Sequence, residues 1–156
     1  MVQNGNNLDD GCGGAGASLR RFPARLAALP DALVHLADGL RAAGAAPATV
    51  ARAELILEEL FRNSVLHGYR GDAAQSVWLG VWSDGQGAGF LYEDAAPPFN
   101  PLRDGPASAA PNPALSIAEQ PVGGVGLLLI RQLGQAIHYE YRDGRNSLMV
   151  GIAHGF

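Results

Sequence analysis

Glu54-Leu55-Ile56-Leu57-Glu58-Glu59-Leu60-Phe61-Arg62-Asn63-Ser64-Val65-Leu66-His67 is the stretch from which the rest of the chain can be read. At about 3.6 residues per turn, Leu57, Leu60, Phe61, Ser64 and Val65 fall on one face. The stretch is therefore an amphipathic helix that must pack on another layer. Pro47 suits its first turn and Gly68 its stop, so the helix is expected over 46–67. Glu59, Asn63 and His67 recur every four residues and stack along a stripe that borders the apolar face. Glu58 and Arg62 lie farther out as a solvated pair. A carboxylate and an amide at the rim of a core admit two readings. One is an ordinary helix face, hydrogen-bonded to its neighbours. The other is a metal–phosphate site, with the Asn63 oxygen on Mg²⁺ and Glu59 orienting a nucleophile. His67, near the helix end, suits the dipole there better than it suits a ligand's role.

Toward the N-terminus, Leu26, Leu29, Leu33, Leu36 and Leu40 give a second helical period over 24–43, closed by Gly44. Residues 18–23 fit a short edge strand. Toward the C-terminus, 75–83 and 87–94 read as strands joined at Asp84-Gly85, and 136–141 and 147–152 as strands joined at Asp143-Gly144. An apolar helix is expected over 125–133. Between the hairpins, 101–123 is rich in Pro and Ala without period, which predicts a functional loop such as a lid. The order helix, helix, hairpin, lid, helix, hairpin argues an α/β (α+β) two-layer sandwich. Its sheet is mixed but largely antiparallel, with the helices on one face. One domain over 18–156 follows a Gly- and Asn-rich tail, 1–17, expected to be disordered.

Composition removes several functions. Lysine is absent, and all 11 basic residues are arginine. A P-loop and a eukaryotic-type kinase each require a lysine on the phosphates, so neither can be built. With net charge −4 and no basic run, direct nucleic-acid binding is not expected. No apolar run is long enough to span a membrane, and from the polar start no signal peptide is expected. A single cysteine, Cys12, fits a reducing cytoplasm.

Two further clusters carry chemistry. In Tyr92-Glu93-Asp94-Ala95-Ala96-Pro97-Pro98-Phe99-Asn100-Pro101, the strand period puts Phe90, Tyr92 and Asp94 on one face. A carboxylate there needs a donor, either the backbone of a turn or a ligand such as the adenine amino group. In Gly123-Gly124-Val125-Gly126-Leu127, glycines ahead of a helix either hinge the lid or admit phosphate to free N–H groups. The spacing is not that of a dinucleotide fold.

In their order and spacing, the three clusters resemble the GHKL ATPase superfamily, and most closely its anti-sigma-factor serine kinases of bacterial partner-switching systems. Glu59-x-x-x-Asn63 with His67-Gly68-Tyr69 looks like the N-box of that branch. The Asp94 to Pro101 run resembles its first glycine box, and Gly123 to Leu127 its second. The likeness implies a Bergerat-type ATP-binding fold and Mg²⁺-ATP as cofactor. It implies that Asn63 holds the metal, that Glu59 is the general base and that Asp94 reads adenine. Ala96, Gly124, Val125 and Gly126 would line the nucleotide site, with Ser147 as a hydroxyl near adenine. The implied partners are an anti-anti-sigma antagonist, as phospho-acceptor, and a sigma factor or similar target; a homodimer is compatible with this. The likeness departs at Ala96, where the family usually has glycine. The substitution adds a methyl group to the pocket and disfavours a positive φ.

Overall fold

The computed structural model describes residues 17–71, 74–84, 86–104, 114, 130, 132 and 137–152. Among these, five strands form one antiparallel sheet: β1 (Arg20–Pro23), β2 (Ser76–Asp84), β3 (Gly87–Asp94), β4 (Ile137–Arg142) and β5 (Arg145–Ile152). Their spatial order is β1-β2-β3-β5-β4. Two helices, α1 (Leu29–Ala42) and α2 (Pro47–Asn63), pack on one face. The result is the expected two-layer sandwich.

Turn chemistry sets the register. Asp143 (φ 53°) and Gly144 (φ 77°) are both left-handed, the two-residue hairpin turn that matches strand twist. Asp84 accepts the N–H groups of Gln86 and Gly87 through Oδ1 at 2.8 and 2.9 Å, tightening the other hairpin. Strand β5 begins at Arg145, two residues earlier than the pattern indicated. The turn needs only Asp143 and Gly144, so pairing resumes at once, with Arg142 opposite Arg145.

Helix α2 buries Val50, Ala53, Ile56, Leu57, Leu60 and Phe61 against α1 and the sheet. Each large side chain removed from water contributes roughly 1.5–3 kcal/mol. Glu58 and Arg62 form the exposed pair anticipated for them, at 3.4 Å. Pro30 and Pro47 occupy first turns, where no intrahelical donor is lost. Helix α1 starts later than expected, because residues 26–28 form a 3₁₀ turn ahead of it.

Beyond Asn63 the helix widens. Ser64–Gly68 is a π-helical turn, closed by the Tyr69 N–H on the Ser64 carbonyl at 2.7 Å. Such turns cluster at functional sites because they re-aim side chains. The wider turn breaks the four-residue stacking expected between Asn63 and His67; His67 is exposed near the helix end. Of the helix expected over 125–133, only Ile130 and Gln132 are described; both are helical, and Ile130 is fully buried. Most of the expected tail and lid lies outside the described residues.

Candidate functional site

The site forms where the π turn meets the C-terminal end of β3. Strand alternation sends Tyr92 and Asp94 inward, toward the helices, and Glu93 outward. Asp94 is 8% exposed, so its carboxylate needs donors. It has three. Ser64 donates to Oδ2 at 2.5 Å, while Asn146 Nδ2 at 2.7 Å and the Ala96 N–H at 3.1 Å reach Oδ1. Each carboxylate oxygen offers two lone pairs, so among the described residues Oδ1 receives two donors and Oδ2 one.

The network extends on both sides. The Tyr92 hydroxyl donates to Ser64 Oγ at 2.7 Å, forming a chain from phenol to serine to carboxylate. The Tyr69 hydroxyl donates to the Ser76 carbonyl at 2.8 Å and accepts from the Ala95 N–H at 2.6 Å. It thereby ties the end of the helix to the loop after β3. Burial, then the Asp94 charge, pushes the Tyr92 phenol well above its ordinary range. Burial is also the main cause of the smaller upward shifts at Tyr69 and Tyr139. All three therefore stay protonated as donors at neutral pH.

Asn63, the last residue of α2, is half-buried, immediately before the serine that grips Asp94. The two clusters also meet through the backbone. A Cβ at Gly68 would stand 2.7 Å from the Ala96 Cβ and 3.7 Å from the Asn63 carbonyl. Gly68 is therefore the gap that admits the Ala96 methyl. Ala96 is buried at 4% and is not among the residues with positive φ. The backbone conflict expected at this alanine does not arise; the methyl faces the helix turn, and its space comes from Gly68. Glu59 lies one turn earlier on α2 and is half-buried.

The family follows from the chain as a whole: the model of the histidine kinase-like ATPase domain matches residues 22–152. The chain belongs to this family. No curated protein matches it significantly. Membership of this ATPase family implies that the nucleotide is ATP. No helix among the described residues is long and apolar enough to cross a membrane.

Ser147 is not beside Asp94. It pairs with Glu93 on the opposite face of the sheet and hydrogen-bonds to Glu93 Oε1 at 3.2 Å. Its neighbour Asn146 faces Asp94, because the register of β3 and β5 pairs the two residues. Gly124, Val125 and Gly126 lie outside the described residues. Arg103 is exposed and paired with Asp104 at 2.8 Å.

Ser64, Tyr69, Tyr92, Asn146 and Tyr139 were not identified as site residues from sequence. A serine on the apolar face of a helix was the one available signal, since a buried hydroxyl there needs a partner. The others become site residues only through strand register and the π turn.

Proposed function

We propose that this histidine kinase-like ATPase domain binds Mg²⁺-ATP at the Asn63–Asp94 corner and transfers the γ-phosphoryl group to a serine or threonine of a small antagonist protein. In this reading it belongs to a bacterial partner-switching system and holds a sigma factor or similar target when the antagonist is phosphorylated. The observation that carries the proposal is the link from Asn63 through Ser64 to the buried carboxylate of Asp94. It puts the residue proposed to hold the metal next in the chain to the serine that bonds the carboxylate proposed to read the base.

The residues fit these roles. Mg²⁺ is commonly held by one or two protein oxygens, with phosphates and water completing the shell, so a single amide oxygen from Asn63 suffices. Bound there, the ion would offset the negative charge of the phosphates. Asp94 Oδ2 would accept a hydrogen of the adenine amino group. Glu59 would take the proton of the partner's hydroxyl as its oxygen attacks the γ-phosphorus and ADP leaves. The phosphate added to the antagonist would disrupt its docking surface by charge and desolvation.

Two variants test the assignment, with binding followed by calorimetry and transfer by incorporation of labelled phosphate. Asn63→Ala should abolish Mg²⁺-dependent ATP binding. Glu59→Ala should keep binding and lose transfer; a normal transfer rate would mean that Glu59 is not the base. A second reading, a partner-binding module with little or no nucleotide affinity, is favoured by the three internal donors already on Asp94. Absence of both heat and thermal shift at millimolar Mg²⁺-ATP would select it.

A further inference from the structure

The loop that follows Asp94 cannot hold itself. Pro97 and Pro98 have no N–H groups, so the segment from Ala96 to Phe99 has few means of bonding to a neighbouring strand. One side chain supplies them. Asn146, 9% exposed on β5, directs Nδ2 toward Asp94 Oδ1 (2.7 Å), the Ala96 carbonyl (3.1 Å) and the Pro97 carbonyl (3.1 Å). Its Oδ1 accepts from the Phe99 N–H (2.9 Å) and the Tyr139 hydroxyl (2.6 Å). Three acceptors at one end and two donors at the other allow only one orientation of the amide.

We propose that Asn146 is the positioning residue of the nucleotide corner: it fixes the rotamer of Asp94 and the path of the Ala96–Phe99 loop together, so that Asp94 Oδ2 is aimed at the base. This rests on the ATP reading above. No other side chain of that size does both tasks. Aspartate has no donor, serine and threonine have one short hydroxyl, and leucine has neither donor nor acceptor. Two N–H bonds shared among three acceptors also leave the loop carbonyls only partly satisfied, so the loop can yield a little when a base enters.

The test uses the full chain and two variants. Asn146→Ala removes every bond. Without nucleotide, exchange of the Phe99 amide should quicken by about tenfold or more, since that amide loses its acceptor. With Mg²⁺-ATP, affinity should fall by about tenfold or more at a temperature where the variant is fully folded. Asn146→Asp sets a second carboxylate where Nδ2 lay 2.7 Å from Asp94, and two carboxylates that close share a proton. The groups facing position 146 are Asp94 from β3 and Tyr139 from β4, with Tyr92 and Tyr69 around Asp94. Relative to wild type in the same buffers, affinity of this variant should be lowest near pH 8 and recover toward pH 5. A role confined to folding would lower the melting temperature without that pH-dependent ratio. An Asn146→Ala protein with wild-type Phe99 exchange, or with wild-type affinity while folded, overturns the proposal. If wild type takes up no Mg²⁺-ATP, the nucleotide reading fails on its own. The exchange measurement still decides whether Asn146 holds the loop.

Discussion

Glu93 and Asp94 are adjacent acids on one strand, yet they belong to different environments. Glu93 faces away from the helices. Its partners are Arg145 at 2.9 Å, which stacks 3.7 Å over the Trp78 ring, and the Ser147 hydroxyl. Asp94 faces inward, and its partners are a serine, an asparagine and a backbone amide. Outside, the acid meets a cation that already cancels its charge, so little is left for a ligand. Inside, the three donors among the described residues are neutral groups rather than a cation. Similar chemistry in the sequence becomes a surface ion pair on one face and a buried, hydrogen-bonded carboxylate on the other.

Removing the inner charge should have the largest effect. Asp94→Asn keeps the shape, since its amide nitrogen can face Ser64 while the Ser64 hydroxyl turns to the Leu60 carbonyl at 3.0 Å. ATP affinity should nevertheless drop by roughly 10- to 100-fold, corresponding to one lost charge-assisted hydrogen bond, as read by calorimetry. Next comes the packing that brings the helix turn to the loop. Gly68→Ala brings a methyl within 2.7 Å of the Ala96 methyl and should cost about 1–3 kcal/mol in denaturant unfolding. Adding Ala96→Gly should restore most of it; a double variant no better than the single one would show that the contact is not the cause.

A smaller effect separates the faces by pH. Unfolded tyrosines lose a proton near pH 10, whereas Tyr92, buried beside Asp94, keeps its proton well above that. Its contribution is complete below about pH 10 and lost as pH rises beyond, because the unfolded state then binds fewer protons than the folded one. Tyr92→Phe should cost about 1 kcal/mol at pH 7 through the lost bond to Ser64. It should also flatten the alkaline fall in melting temperature. The smallest effect belongs to the outer face. Glu93→Gln breaks a partly exposed pair and should change stability by about 1 kcal/mol at most, with no change in ATP affinity. A large loss of binding there would erase the distinction between the faces.

Much was legible without coordinates. The amphipathic period of α2, the prolines at both helix starts and the Asp143-Gly144 turn fixed the elements and their layering, since these signals are local. The inward side of Asp94 followed from alternation within β3. What the sequence did not show was the partner of Asp94 across the sheet: Asn146 pairs with it in the register of β3 and β5, while Ser147 pairs with Glu93 on the other face. The polar nature of Ser64 was visible, but its partner was not, because the partner lies 30 residues away in sequence.

By itself, then, the sequence determined a helical layer over an antiparallel sheet, the absence of any lysine-based phosphate cradle, and Asn63 and Asp94 as the residues to watch. Each depends on composition or on a repeat of two to four residues. Only the tertiary structure decided that a π turn brings Ser64 onto Asp94, that Gly68 makes space for Ala96, and that Asn146 anchors the proline loop. Those depend on the register between strands and on the phase of one helical turn, where a shift of one residue exchanges which side chain is buried.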